Sequence, residues 1–491
     1  MFIDQTIQQI KATGVWQNQQ YGFTKGRSTT DALVDLVSQL RKTKKAKRHS
    51  LIVSLDITGA FDNISHRKII DLLFQYGVQG NLIQFAHSYL TNRTVKIKIA
   101  NATASKQIDR GCAQGSKCGP GLFLIAMNEL LSILQREGIQ TFAYADDLLL
   151  VLEGQDAQSM STKMNALLQL INLWGASSGL KFNPKKTQGM MVRARRQAAW
   201  PAVVMADKVI PESKTIKYLG VHLNNKITWH QHIQQVKLKA QSALNVCKKA
   251  LGSTWGLPSN LRRRIYDSII LPICTYASPV WIEALSLKSV KQQFRTIEQS
   301  MACLIIRCQR TAKYETIVYL SSITPISTIA KERSYSFTHN NMTSDQRRRR
   351  KAEVKMDRRK WREGEVWQLI PSKHRRFLGE GVLPLTEAWR SYASTHFLLN
   401  TGFFVNRPRN ECPDCKSACD PTQNHILFHC PVWEYEREKY LRKFKLTNET
   451  DLKQIFIEEK TAIAFNSFCK LILTAYKSRE TSSNLRTQLL T

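Results

Sequence analysis

The sequence is poor in acidic residues and contains no long apolar run. Asp and Glu number 38 against 72 Lys and Arg, which leaves a formal net charge of +34 at pH 7. So large an excess of one sign favours a polyanionic partner, and nucleic-acid phosphates are the commonest. No stretch of about 18 apolar residues occurs, so we expect no transmembrane helix and no membrane partner. We also recognise no secretory signal sequence and no internal repeat.

What the sequence does contain is typical of a large globular protein. The 491 residues are 43% hydrophobic, with 10 Trp, 14 Tyr and 19 Phe, and their number favours two to four domains. The positive charge is clustered, at 41–48 and more densely at 347–362. Several of the 11 Cys lie in apolar contexts, where a reduced Cys behaves as a small hydrophobe. We therefore expect an intracellular protein that acts in the nucleus, with an oligomeric state that the sequence leaves open.

Two adjacent acids interrupt an apolar stretch, "TFAYADDLLLVL" at 141–152. Asp146 and Asp147 repel each other, and burying either one is costly unless it is paired or bound to metal. A turn or a helix cap would also explain an isolated Asp-Asp pair. A third acid, Asp56, closes the apolar strand "LIVSLDI" at 51–57.

Carboxylates on adjacent strands can hold two magnesium ions, which prefer several oxygen ligands. Such a pair of ions activates a 3′-hydroxyl and stabilises the leaving pyrophosphate. In a strongly basic chain, this arrangement predicts nucleotidyl transfer.

Apolar periodicity predicts helices alternating with strands up to about residue 230, which suits a sheet covered on one face by helices. Residues 1–20 have helical spacing. The strict alternation of "VKIKIA" at 95–100 predicts a half-exposed strand with Lys96 and Lys98 outward. Residues 231–310 are predicted to be largely helical.

Five motifs carry a resemblance to a known family. They are "SLDITGAFDNISH", "RGCAQGSKCGPGLF", "FAYADD", "GLKFNPKKTQ" and "KYLGVHLNNKITW", preceded by "QYGFTKGRSTTDAL". Their order and spacing resemble those of reverse transcriptases of non-LTR retrotransposons. A Cys/His cluster at 412–430 narrows the resemblance to elements like the type-1 insect elements that insert in ribosomal DNA. The resemblance covers most of residues 18–310.

The resemblance implies an α+β fold: a right-hand polymerase palm and fingers with a helical thumb, then a mostly helical basic region and a small zinc knuckle. The implied domains are partial fingers and palm at 1–230, thumb at 231–310, basic connection at 311–405, zinc knuckle at 406–435 and helical tail at 436–491. It implies an RNA-directed DNA polymerase that extends a DNA primer, in the family nicked target DNA, on an RNA template with dNTPs. The rival hypotheses are an inactive nucleic-acid-binding remnant and an RNA-dependent RNA polymerase, against which Phe61 argues.

The family's roles transfer to matching positions of this sequence. Asp56 and Asp146 match the metal-binding acids, and Asp147 matches a third, weaker one. Phe61 matches the aromatic gate that disfavours a 2′-hydroxyl, although it also suits a core position. The remaining matches are the template and dNTP turn (Gln114, Gly115, Ser116), the lysine near the triphosphate (Lys185), the template loop (Lys25, Arg27) and the primer hairpin (Tyr218, Leu219, Gly220).

The sequence also departs from the family pattern. Only about 20 residues precede "QYGFTKGRST", and neither an amino-terminal endonuclease nor an RNase H set of acids is recognised. We therefore expect a fragment of a longer polyprotein, whose parent element supplies the endonuclease.

A Cys/His cluster lies near the carboxyl terminus, in "CPDCKSACDPTQNHILFHC". Its spacing is typical of a four-ligand zinc site. The predicted ligands are Cys412, Cys415, His425 and Cys430, with Cys419 or His429 as alternatives for the fourth. Such a knuckle, like the basic arm at 347–362 with Trp361 and Trp367 beside it, is expected to bind nucleic acid.

Overall fold

The computed structural model describes most of the chain. The described residues are 2–113, 115–194, 199–250, 257–308, 312–339, 346, 348–349, 353–354, 367–370, 412, 414–415, 425–447 and 454–488. The predicted arm at 347–362, apart from 348–349 and 353–354, therefore lies outside them. So do Gln114, Cys419, Trp361 and the side chain of Trp367. The chain divides into two units, Met1–His232 and Ile233–Thr491.

The first unit mixes helices and strands. Its helices are α1 (Phe2–Ala12), α2 (Thr29–Lys45), α3 (Ala60–Asn63), α4 (His66–Gln75), α5 (Gly80–Leu90), α6 (Cys118–Arg136) and α7 (Ala157–Ser178). Its strands are β1 (His49–Leu55), β2 (Ile57–Thr58), β3 (Arg93–Ile99), β4 (Ala102–Ile108), β5 (Gln140–Tyr144), β6 (Asp147–Gly154), β7 (Lys181–Phe182), β8 (Gln188–Val192), β9 (Val203–Met205), β10 (Lys208–Ile210), β11 (Thr215–Tyr218) and β12 (Val221–Asn224).

A four-stranded antiparallel sheet, in the order β5-β6-β1-β8, forms the centre of this unit. Its strands are apolar along their length and are buried on both faces of the sheet. The expectation of a sheet covered by helices on one face only was therefore wrong. Leu51 and Val53 lie in the core cluster shared with α6 and α7, but the alternate residues Ile52 and Leu149 are also buried. Helix α2 packs against β1 and β5. A continuous apolar run, rather than alternation, is the pattern of a strand buried on both faces.

Two further expectations about the first unit need correction. The amino-terminal helix ends at Ala12 rather than near residue 20, and Gly14 then adopts a positive φ of 76°. The β3–β4 hairpin is exposed on both faces, because Ile97 and Ile99 are 57% and 73% exposed. Alternation predicted the strand here, but it could not predict that nothing in the described unit covers its apolar side.

Helix α6 is the central helix of the first unit. It is long and apolar enough, by length and composition, to cross a membrane, and the bent pair Ser259–Thr275 and Ser278–Ser286 passes the same test. A buried core helix also passes this test, so the finding does not contradict the expectation that the chain has no transmembrane helix. Of the apolar window in α6, 67% is buried inside the protein, as in a core helix.

Helices dominate the described part of the second unit. They are α8 (His230–Ala250, whose first residues close the first unit), α9 (Ser259–Ile265), a π-helix (Tyr266–Ile270), α10 (Leu271–Thr275), α11 (Ser278–Trp281), a 3-10 helix (Ile282–Ser286), α12 (Lys288–Ile306), α13 (Tyr314–Ser321), α14 (Ile326–Thr338) and Trp367–Leu369. Towards the carboxyl terminus follow His425–His429 (π), Pro431–Trp433 (3-10), Glu434–Tyr440, Arg442–Phe444 (3-10), Gln454–Ile457 and Glu459–Gln488.

Packing in this unit continues past residue 310, where we placed the end of the thumb. Helix α13 packs on α12, and α14 packs on α10 and α11. The buried Glu298 joins these helices, since its carboxylate accepts hydrogen bonds from the Tyr314 hydroxyl (2.5 Å) and the Ile326 amide (2.6 Å). The domain boundaries remain a prediction.

Candidate active site and zinc cluster

The paired acids lie at the tip of a β-hairpin. Tyr144 of β5 pairs with Asp147 of β6, which leaves Ala145 and Asp146 as a two-residue turn. Ala145 adopts a left-handed conformation with φ 57°, which costs a residue with a side chain roughly 1–2 kcal/mol. The five strand residues that follow Asp147 are buried, so the tip is anchored in the core. The predicted strand-turn-strand is present.

Asp56 reaches the same end of the sheet from the neighbouring strand. The antiparallel ladder between β1 and β6 ends at the pair Leu55–Leu148, and the next residues along the two strands are Asp56 and Asp147. The pKa of Asp147 is raised, first by partial burial and then by the charges of Asp146 and Asp56. The register and this coupling together place three carboxylates at one end of the sheet, from positions about 90 residues apart in the chain.

The three carboxylates fit a divalent cation by their chemistry. Asp56 Oδ2 is buried and has no hydrogen-bond partner, so a buried anionic oxygen lacks compensation apart from a nearby ammonium group. Their spacing is looser than that of a closed metal site. Among the described residues, only the Cys/His cluster has three or more candidate ligand atoms all within 4.8 Å of one another.

The ammonium near Asp56 belongs to Lys186, the neighbour of Lys185, and the predicted triphosphate contact of Lys185 remains a prediction. Lys186 Nζ lies 3.6 Å from Asp56 Oδ2. The Asn183 amide donates to the Asp56 carbonyl (2.8 Å), and the Asn183 carbonyl accepts from the amide of Lys186 (3.2 Å). Lys185 is exposed, and its backbone amide donates to Asn183 Oδ1 at 3.0 Å. This turn gives two adjacent lysines different surroundings.

Phe61 is half-buried on the short helix α3. Its ring lies 4.5 Å from the core ring of Phe123, so it serves as a core residue as well as a candidate gate. The Cys112 amide donates to the Phe61 carbonyl at 2.6 Å. Phe23, to which the sequence reasoning gave no role, stands edge-on to Phe61 at 6.2 Å and is 59% exposed. In the sequence, Phe23 could have been noticed as the aromatic residue of "QYGFTKG". In the structure, its backbone is left-handed, with φ 52°.

The turn before α6 carries the predicted template and dNTP residues, of which Gln114 lies outside the described residues. Gly115 is exposed and has φ 77°, a conformation that favours glycine. Ser116 Oγ accepts from the Gly119 amide at 2.9 Å and so caps the first turn of α6. A backbone capping role is therefore present for Ser116, and a nucleotide contact remains a prediction.

The two predicted template cations differ in their surroundings. Lys25 is exposed. The guanidinium of Arg27 stacks over the Tyr21 ring at 4.8 Å and donates to the Asn18 carbonyl. Arg27 therefore stabilises the loop to which it belongs, and the exposed Lys25 is the better candidate for a phosphate contact.

The predicted primer hairpin is β11–β12, with Leu219 and Gly220 as its two-residue turn. Both have positive φ, 45° and 81°, which matches the twist of a tight hairpin. Tyr218 is buried, and its hydroxyl donates to the Phe142 carbonyl of β5 at 3.0 Å. Tyr218 thus ties this hairpin to the strand that leads to the acids, while Leu219 and Gly220 form its half-exposed tip.

The predicted zinc ligands come together in the second unit. Cys412, Cys415, His425 and Cys430 place their ligand atoms within 4.8 Å of one another. The Sγ atoms of Cys412 and Cys430 are 4.0 Å apart, and Cys415 Sγ lies 3.4 Å from His425 Nε2. A tetrahedral zinc with ordinary bond lengths requires separations of about 3.8 Å and 3.5 Å.

The surroundings of the cluster fit a structural metal site. Burial raises the pKa of the Cys430 thiol to about 12, so a thiolate here needs a cation. Trp433 Nε1 donates to Asp414 Oδ2 at 2.7 Å, which holds the Cys-x2-Cys loop against the next helical turn. The alternative ligand His429 is exposed and is not part of the group.

Comparison with known families supports this geometry. Residues 2–223 match the family described as "Reverse transcriptase (RNA-dependent DNA polymerase)". Residues 2–223, less than half of the chain, are therefore similar to a reverse transcriptase domain. The expected α+β reverse transcriptase fold is thereby confirmed for these residues, and the RNA-directed DNA polymerase activity remains a proposal.

Several proteins of type-1 retrotransposable elements are similar to this chain. It is 27% identical over 312 residues to a protein of element R1DM of Drosophila melanogaster, covering 64% of this chain and 30% of that protein. It is 25% identical to the Pol polyprotein of element R1 of Bradysia coprophila, with 61% and 28% covered. A shorter R1 Pol polyprotein of Nasonia vitripennis is 23% identical over 401 residues, with 75% and 97% covered. The chain spans less than a third of the first two relatives.

Among solved structures, telomerase from Candida tropicalis in complex with a telomeric RNA fragment is similar at 11% identity. That match has a TM-score of 0.36 and covers 68% of this chain and 54% of the telomerase chain. The score is too low to add to the assignment.

Proposed function

We propose that this chain adds dNTPs to a DNA 3′ end on an RNA template, as in target-primed reverse transcription. The observation that carries the proposal is the convergence of Asp56, Asp146 and Asp147 at adjacent strand ends within a reverse transcriptase domain. Two magnesium ions bound there would supply activation of the primer 3′-hydroxyl and charge stabilisation for the leaving pyrophosphate.

The chain's own groups have distinct parts in this proposal. Asp146 and Asp56 are the principal metal ligands, and Asp147 is the third, weaker acid beside them. Lys186 adds positive charge beside Asp56, where it can stabilise the triphosphate or donate a proton. Phe61 excludes a 2′-hydroxyl by its bulk. The basic surface attracts the template and primer backbones.

The zinc cluster is proposed to bind nucleic acid. Its ligand geometry supports zinc occupancy, and the chain's net charge of +34 supports a phosphate-bearing partner. It lies in the second unit, so its contribution can be measured separately from polymerisation.

Primer extension on poly(rA)/oligo(dT) tests the proposed polymerase. We expect dTTP incorporation by the purified chain and a loss on the order of 100-fold or more in Asp146→Ala. Asp71→Ala is the matched control, because Asp71 is an exposed helix residue beside Arg67, and it should retain full activity. Incorporation no higher than in Asp146→Ala, with RNA binding intact, would instead identify an inactive nucleic-acid-binding protein.

A further inference from the structure

A buried glutamine lies behind the turn that carries Asp146. Gln20 is 2% exposed. Its Oε1 accepts hydrogen bonds from the amides of Gly22 (2.8 Å) and Ala145 (2.9 Å), and its Nε2 donates to the Ala145 carbonyl (3.3 Å). One side chain thus satisfies both peptide groups of Ala145, from a position 125 residues away in the chain.

The backbone around Gln20 reinforces this contact. The Tyr21 amide donates to the Ala143 carbonyl (2.8 Å), and the Ala143 amide donates to the Gln19 carbonyl (3.0 Å), so this segment pairs with the end of β5. Gly22 approaches the turn so closely that a Cβ added there would lie 2.3 Å from the Ala145 nitrogen. No side chain fits between the loop and the turn.

The turn needs such support because Ala145 is left-handed without being glycine. Asp146 is the next residue, and the orientation of its carboxylate follows from the Ala145 peptide. We propose that Gln20 is a positioning residue that holds the Ala145–Asp146 turn in the geometry required to bind divalent metal. The inference rests on the proposed function, but its test measures metal binding independently of polymerisation.

The matched comparison is Asn128, a second buried amide in the same unit. Asn128 is also 2% exposed, and it also makes three hydrogen bonds, to the Gln17 amide (2.7 Å), the Val15 carbonyl (3.2 Å) and the Tyr76 hydroxyl (3.3 Å). None of these partners belongs to the acid hairpin. Gln20→Met and Asn128→Leu therefore remove equivalent bonds at similar side-chain volume.

The experiment measures Mn2+ affinity per folded chain, by paramagnetic resonance, together with kcat and KM for dTTP. We expect Gln20→Met to weaken Mn2+ binding about 10- to 100-fold and to lower kcat with little change in KM. Asn128→Leu should lower the melting temperature and keep the Mn2+ affinity within about twofold of wild type. Adding Ala145→Gly to Gln20→Met should recover part of the affinity, because glycine adopts the positive φ without strain.

The outcomes separate the two claims. The positioning role is overturned if Gln20→Met binds Mn2+ with wild-type affinity, or if Asn128→Leu weakens Mn2+ binding equally. It is also overturned if adding Ala145→Gly to Gln20→Met recovers none of the Mn2+ affinity. If Gln20→Met does not fold while Asn128→Leu does, Gln20 is a structural residue and the proposal is likewise wrong. A wild-type chain that binds Mn2+ without incorporating dTTP overturns the polymerase function and leaves the Gln20 result intact.

Discussion

The adjacent lysines 185 and 186 allow a sharp test of how charge acts at the candidate active site. Only Lys186 is paired with Asp56, at 3.6 Å, and the two side chains are 68% and 38% exposed. Although Asp56 Oδ2 is buried, the Lys186 side chain is largely exposed and solvent screens its charge, so we expect Lys186→Met to change the free energy of unfolding by less than about 1 kcal/mol.

The expected effect on catalysis is much larger. A cation that stabilises developing charge or donates a proton contributes about 100-fold or more to the rate, which corresponds to about 2.7 kcal/mol of activation free energy. Lys186→Met should therefore lower kcat about 100-fold while leaving the melting temperature almost unchanged. Lys185→Met, which keeps its backbone bond to Asn183 Oδ1, should stay within about twofold of wild type.

Single-turnover incorporation of dTTP, measured beside thermal unfolding, distinguishes these outcomes. A larger loss in Lys185→Met, or equal losses in both variants, would refute the assignment of the catalytic charge to Lys186. A large loss of stability in Lys186→Met would show that the ion pair is structural.

Three further predictions concern other parts of the chain. Phe61→Val should raise rNTP incorporation relative to dNTP, measured by competition, at a stability cost of about 1–2 kcal/mol from lost packing; unchanged selectivity would exclude the gate. Burial raises the pKa of Glu298. The contribution of this carboxyl to the free energy of unfolding is therefore full below the ordinary Glu pKa, and it is lost as pH rises through the raised pKa. The free energy of unfolding of wild type, measured by denaturant titration, should therefore fall relative to that of Glu298→Gln as pH rises above about 4, and parallel curves would contradict this. Metal analysis should find about one zinc per chain, lost in Cys415→Ser and retained in His429→Ala; loss in both variants would point to another ligand set.

Sequence patterns predicted the parts of the site that depend on local spacing. Continuous apolar runs indicated the strand that ends just before Asp56 and the strand that begins at Asp147, and ligand spacing indicated the four residues of the Cys/His cluster. The family resemblance, rather than turn chemistry, indicated Leu219 and Gly220, because a Leu is not expected at the positive φ that it adopts here.

Contacts distant in the chain could not be predicted in the same way. Lys185 and Lys186 are indistinguishable by composition, and the backbone pairing of Asn183 with Asp56 selects one of them. Gln20 stood within a quoted motif, but its importance depends on a turn 125 residues away. The burial of Tyr218 likewise depends on the Phe142 carbonyl, which no local pattern reveals.

The number of divalent ions bound at the acid cluster tests the central claim most directly. Mn2+ binding to the purified chain, with an RNA–DNA template–primer and a non-reactive dNTP analogue, should reveal about two ions per chain. Asp146→Ala should lose them, and Asp71→Ala should keep them. Failure of wild type to bind Mn2+ more tightly than Asp146→Ala, with template–primer bound, would contradict the assignment of these carboxylates to metal-dependent nucleotidyl transfer.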